Sequence, residues 1–157
     1  MTLVRPIVLD ANILIRCVLG ERVPALLAAH VAVADFLAPD AAFDEARRNL
    51  PMILRKRGDD GAGAVAALAT LHDMTAIVRP VPLASYAPMR GPALARIGQR
   101  DPDDWPVLAC ALQLNCPIWT EDQDFFGVGV ATWTTALVAL YFVDVATALA
   151  DDGPSPR

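Results

Sequence analysis

Carboxylates are the side chains this sequence supplies in quantity and at positions where chemistry could use them, with 15 Asp and 3 Glu against two His, two Ser and one Lys. Asp10, Glu45, Asp104 and Asp122 stand out, because each falls at a junction between an apolar run and the element beside it. Like charges brought together raise one another's pKa and oppose assembly unless a cation compensates. An all-oxygen ligand set selects a hard ion such as Mg²⁺ or Mn²⁺. Such an ion polarises a phosphoryl oxygen and activates water, which is phosphodiester hydrolysis without a serine, histidine or cysteine nucleophile. Taken singly, each acid has a plainer reading as a helix cap, worth roughly 0.3 to 1 kcal/mol. That alternative stays open for Asp10 and Asn12, and for Asp101 and Asp103, either of which could replace Asp104 as the third acid.

Other chemistries fail on residue types and spacing. His30 and His72 have no acid at a zinc-binding spacing, and Ser85 and Ser155 lie in no nucleophile elbow. The one lysine, Lys56, is in no phosphate-binding loop. Cys17, Cys110 and Cys116 sit in apolar contexts without paired metal spacing, and read as reduced core residues. The net charge of −5 argues against broad, charge-driven nucleic-acid binding while allowing a local basic groove. No apolar run approaches the roughly 20 residues of a membrane span, and no secretory leader is recognisable, so the expected location is the cytoplasm.

The elements that must position these acids follow from the apolar pattern. Ile7-Val8-Leu9 reads as a strand that ends in Asp10, with a helix over 11–19 stopping near Gly20. A second helix is expected from Pro24 to about Ala34, with one broken helix as the alternative. A strand at Phe36-Leu37-Ala38 precedes a helix from Asp40 to about Arg57, and a turn over 58–63 leads to a helix over 64–73. The third strand is placed at Ala76-Ile77-Val78, ended by Pro80 and Pro82. A helical segment interrupted at Gly91-Pro92 runs to about Ile97, and a strongly apolar helix covers Val107–Leu114. Strands at 117–120 and 130–133 follow, then an apolar helix over 135–149. Residues 1–150 read as one domain and 151–157 as a disordered tail.

Strands alternating with helices imply an α/β fold with a parallel sheet, in which strand carboxyl ends and helix amino ends share one edge. Asp10 and Asp122 at strand ends, with Glu45 and Asp104 in the first turns of helices, therefore converge from opposite ends of the chain.

The Val-Leu-Asp-Ala-Asn-Ile-Leu-Ile start, the Asp-Glu-Ala-Arg-Arg helix, Asp104 before Val-Leu-Ala-Cys-Ala-Leu, and Trp-Thr-Glu-Asp-Gln-Asp-Phe-Phe, in this order, resemble the PIN-domain nucleases over residues 3 to about 140. The resemblance implies a three-layer α/β sandwich around a five-stranded parallel sheet with an acidic Mg²⁺ or Mn²⁺ site. It also implies a ribonuclease, in many members a VapC-like toxin neutralised by an antitoxin. Asp10, Glu45, Asp104 and Asp122 would be the acidic quartet, with Asp124 as a further metal ligand and Asn12 and Thr120 in support. Arg47 and Arg48 could meet RNA phosphates, against the plainer reading of a solvated helix face. The trio Arg55-Lys56-Arg57 reads as a solvated helix end. Trp105, Trp119 and Trp133 could stack on bases but read more simply as core, and Phe125-Phe126 as packing under the turn that carries Asp122 and Asp124.

Two rival readings remain. One is a catalytically weak PIN-like module that holds an antitoxin or another protein. The other is a receiver-type phosphoryl-transfer domain, disfavoured because Asn12 stands where that class carries a second acid. The helices over 23–34 and 135–149 could supply a homodimer surface.

Overall fold

The strand before Asp10 becomes the middle of the sheet. In the computed structural model, which describes residues 4–143, β1 (Arg5–Leu9) pairs in parallel with β2 (Ala34–Pro39) on one side and with β4 (Ile118–Trp119) on the other. The outer strands are β3 (Val78–Val81) beside β2 and β5 (Thr132–Trp133) beside β4, giving the order β3-β2-β1-β4-β5. A strand covered on both faces should be continuously apolar. Ile7, Val8 and Leu9 are accordingly fully buried. The chain builds outward from β1 to β3 and then returns to build outward through β4 and β5. The β1/β4 junction is thus the switch point, and outside the carboxyl ends of these two strands lies the crevice where open α/β sheets bind ligands.

Helices flank the sheet. α1 (Ala11–Leu19) starts on the Asp10 cap and ends at Gly20, whose N–H reaches the Arg16 carbonyl at 2.9 Å. A Cβ there would lie 2.9 Å from that same carbonyl oxygen, so the stop requires glycine. α2 (Arg22–His30) is a separate helix. It begins before Pro24, which occupies the first turn where no N–H is needed, and ends before Ala34, which pairs with Arg5 in the sheet. α3 (Asp40–Lys56) buries Ala42, Phe43, Ala46 and Leu50 along one stripe and packs on α1 and on α4 (Ala62–Asp73).

Several expectations require correction. The third strand lies at Val78–Val81 rather than 76–78, because Met74–Ala76 form a 3-10 turn that prolongs α4. Pro80 is accommodated inside β3 because this is an edge strand, with one side free of pairing. The interruption expected at Gly91-Pro92 falls at Ala87–Met89, between α5 (Leu83–Tyr86) and α6 (Arg90–Ile97). Gly91 and Pro92 begin α6, since a proline in a first turn costs no hydrogen bond. Glu45 sits in the second turn of α3, whose first residue is Asp40.

α7 (Trp105–Leu114) carries Pro106 in its first turn, buries Val107–Ala111, and stops at Asn115 in the left-handed conformation. β4 and β5 have two residues each rather than four. Of the expected 135–149 helix, α8 (Val138–Tyr141) is seen, and 144–149 lie outside the described residues, as does the expected tail at 151–157. Among the described residues no helix is long and apolar enough to cross a membrane. The three cysteines are free and buried, and burial pushes their thiols up to about 11 for Cys17 and about 12 for Cys110 and Cys116. They are not nucleophiles.

Candidate active site

Asp10 leaves β1 and caps α1, with Oδ1 accepting the Ile13 N–H at 3.0 Å. Its other oxygen accepts the hydroxyl of Thr120, the fully buried residue that follows β4. The Thr120 oxygen in turn accepts the Asp122 N–H at 2.9 Å, and the Asp10 N–H donates to the Trp119 carbonyl at 3.2 Å. The two central strand ends are thereby stitched together around one carboxylate that is only 5% exposed. Burial pushes the Asp10 carboxyl up to about 6, with the charges of Asp122 and Glu45 adding, while the Thr120 and Ile13 bonds act the other way. Asp10 is thus a helix cap that also lies, buried, at the carboxyl end of the central strand.

Asp122 begins the next turn. Its Oδ1 accepts the Asp124 N–H at 2.9 Å, and the 3-10 turn Gln123–Phe125 is anchored by the buried Phe125. Phe126 is exposed and packs no such turn. The loop is held from outside by α6 and the segment after it. Arg100 donates to the carbonyls of Asp124, at 3.0 Å, and Phe126, and Arg96 donates to that of Val128 at 3.0 Å. Gly129 has φ of +85°, and a Cβ there would stand 2.8 Å from the Arg96 guanidinium.

Asp104 holds the cap position of α7, yet its side chain makes no cap bond. Its Oδ2 is buried with no hydrogen-bond partner among the described residues. Burial and the charges of Asp101, Asp122, Asp10 and Glu45 push this carboxyl up to about 7. Leaving such an acceptor unsatisfied costs roughly 1 to 3 kcal/mol, more when it is charged. Asp101, whose Oδ1 accepts the Asp103 N–H at 3.0 Å, turns back so that carboxylate oxygens of Asp101, Asp104 and Asp124 lie within 4.8 Å of one another. Asp101 thus joins Asp104 instead of replacing it, and Asp103 stays exposed at the rim. The sequence offers Asp101 either as a helix-start acid or as an alternative to Asp104, and its closeness to Asp104 depends on the tight Pro102–Asp104 turn between the two.

Glu45 is exposed on α3, facing a groove of about 490 Å³ that it shares with Arg48, Asn49, Asp101, Asp103 and Asp104. Partial desolvation raises its carboxyl, Arg48 lowers it, and Asp101, Asp103 and Asp122 raise it further. The charges of Asp10, Glu45 and Asp122 all raise Asp104, whereas the acids whose oxygens lie within 4.8 Å of one another are Asp101, Asp104 and Asp124; of the expected quartet this group includes Asp104 and not Asp10, Glu45 or Asp122. Arg47 turns away to pair with Asp44 at 2.6 Å, both side chains exposed. Asn12 is exposed in the first turn of α1. Trp119 is fully buried, its Nε1 donating to Thr135 at 3.1 Å, Trp105 lies against Tyr86 and Arg90, and Trp133 against Tyr141.

A buried, unpartnered carboxylate oxygen among other acids fits a divalent cation, and no nitrogen or sulfur donor enters the cluster. The fold and site thus define a parallel α/β domain with a cluster of three carboxylates, Asp101, Asp104 and Asp124, close enough together to hold a metal ion. The PIN-domain family profile matches residues 8–143, and the chain belongs to that family, whose members are generally nucleases that use divalent metal. Among solved structures, the fold resembles VapBC2 from Rickettsia felis bound to a DNA fragment from its promoter, with TM-score 0.65, 10% identity, and 82% of this chain and 98% of that one covered. VapBC-1 from nontypeable Haemophilus influenzae gives 0.60 at 15% identity, covering 83% and 98%. FitAcB from Neisseria gonorrhoeae gives 0.59 at 20%, with the same coverage. No curated protein matches the sequence.

Proposed function

We propose that this protein is a Mg²⁺- or Mn²⁺-dependent endoribonuclease, the toxin of a VapBC-like pair, acting in the cytoplasm and restrained by an antitoxin protein. The observation that carries the reading is the Asp104 oxygen, a buried acceptor with no donor among the described residues, inside an acidic cluster. Asp10, Glu45, Asp104 and Asp122 are the acids assigned to the ion, with Asp101 and Asp124 beside them. When bound, the ion supplies charge neutralisation at the phosphoryl oxygens and a nucleophile at neutral pH. The chain's own part is positional. Thr120 and the Ile13 N–H fix the Asp10 carboxylate in one orientation, so it needs no reordering on binding. Arg48, on the groove wall beside Glu45, offers its guanidinium to a substrate phosphate. The resemblance to VapBC and FitAB assemblies supports the antitoxin partner. Cleavage of single-stranded RNA by the purified chain, lost in Asp10→Asn and Asp104→Asn and lost on chelation, is the expected result. Equal cleavage by parent and variants contradicts the assignment.

A further inference from the structure

A second groove, of about 580 Å³, opens among α1, α2 and the far end of α3. Its floor is apolar, formed by Ile15, Leu19, Val23 and Ile53, and its walls carry Arg16, Arg22 and Arg57. All three arginines are exposed, and none forms an ion pair among the described residues, where the pairs seen are Arg47–Asp44 and Arg79–Asp35. Two acids, Glu21 and Glu121, share the lining, and Glu121 is engaged by the Thr135 N–H at 2.7 Å. The groove therefore has a positive balance on a chain whose net charge is −5. Arg16 and Arg57 sit near helix carboxyl ends, where the dipole favours them, but Arg22 opens α2, where the dipole disfavours a cation. Helix stability does not account for that placement.

The two grooves have no lining residue in common, but both draw on α3. On α3, Glu45 and Asn49 line the acidic groove, and Ile53 and Arg57 continue the same four-residue row into the basic one. Glu45 to Arg57 is about 18 Å along the helix. On α1, which starts from Asp10, Arg16 lies one turn beyond Asn12 on the same side, and Glu121 in the basic groove adjoins Asp122. A polyanion with one phosphate at the acids would have its next stretch laid along these arginines.

We propose that this groove binds the sugar-phosphate backbone of the RNA strand flanking the cleaved bond, an inference that rests on the ribonuclease reading. Among the described residues no aromatic side chain lines it, so it offers bases no stacking platform and would read charge rather than sequence. The arginine-rich end of α3 divides accordingly, with Arg57 in the groove and Arg55 on another face, beside Pro51 and Asp59.

The test is fluorescence anisotropy with a single-stranded RNA of roughly 12 nucleotides. All proteins carry Asp104→Asn to keep the strand intact, and binding is measured across a salt series. Removing three phosphate contacts should reduce the log–log salt slope by about 2. The triple variant Arg16→Gln, Arg22→Gln, Arg57→Gln should accordingly bind roughly tenfold or more weakly at low salt, with an unchanged melting temperature, whereas Arg55→Gln should match its parent. Unchanged affinity and slope in the triple variant overturn the groove assignment while the wild-type chain still cleaves RNA. An equal loss with Arg55→Gln overturns it in favour of unlocalised charge. Loss of an acidic protein partner with RNA binding intact overturns it in favour of a protein occupant. If the wild-type chain neither binds nor cleaves RNA, the ribonuclease reading falls, and the groove assignment with it.

Discussion

Two aspartates at the starts of helices show how one residue type serves opposite ends. Asp40, the first residue of α3, is fully partnered: it accepts the Ala41 N–H at 2.8 Å, the Leu83 N–H at 3.0 Å and the Tyr86 hydroxyl, and so ties α5 to α3. Asp104, at the start of α7, caps nothing and keeps a buried oxygen without a donor. The first arrangement stabilises the fold. The second is unfavourable on its own, and a bound cation would complete it. Satisfaction of the carboxylate separates these two acids, although Asp10, with both oxygens hydrogen-bonded, shows that a partnered acid can also lie at the candidate site.

That contrast breaks most visibly by substitution at Asp104. Asp104→Asn should lower RNA cleavage at least about a thousandfold, as expected when an ion that provides the nucleophile is displaced. Its melting temperature without metal should equal or exceed that of the parent, because a like charge has been removed. A cleavage assay alongside a thermal melt checks both.

The next largest effect is the dependence of metal-free stability on pH. Asp10 and Asp104 have carboxyls raised from 3.8 to about 6 and about 7. The folded state therefore binds protons more tightly than the unfolded chain. The stabilisation is complete below about pH 4 and is lost as pH rises through 6 and 7. The Asp10 contribution is on the order of 3 kcal/mol, so the metal-free protein should be more stable in denaturant titrations at pH 5 than at pH 8. Mn²⁺ should restore stability at pH 8. A profile flat across this window, or rising with pH, would contradict the stated burial of these acids.

Asp40→Asn should cost about 1 to 2 kcal/mol by weakening charge-assisted bonds. Cleavage per folded molecule should be retained, the reverse of the Asp104 result. Smaller still, Arg100→Gln releases the carbonyls of Asp124 and Phe126 and should weaken Mn²⁺ binding roughly tenfold, as loss of an outer support does. Calorimetric titration measures that change.

Much of this arrangement was legible before any coordinates. An apolar run ending in Asp10 and followed at once by a second apolar run marks strand, acid and helix through local pattern alone, and the strand and helix are found there. The start of α3 at Asp40 is as the sequence predicts, but five residues separate it from Glu45, which therefore lies in the second turn rather than the first. It still reaches the groove, because that face of the helix points to Asp101 and Asp103. The 3-10 turn at Met74–Ala76 has no apolar signature, and the strand after it was displaced accordingly. The order of strands depends on packing between distant elements, so the switch point at β1/β4 emerges only in three dimensions. Arg100 was missed because its partners are backbone carbonyls, which carry no residue code. The arginine groove was missed because its members come from α1, α2 and the far end of α3.

The central claim is that acids from distant parts of the chain hold one divalent site. The direct measurement is calorimetric titration of Mn²⁺ into the metal-free protein near pH 8. Saturable binding that disappears in Asp10→Asn and Asp104→Asn, and persists in Asp40→Asn, is the predicted result. Absence of binding in the parent, or binding equally strong in Asp104→Asn, would contradict it.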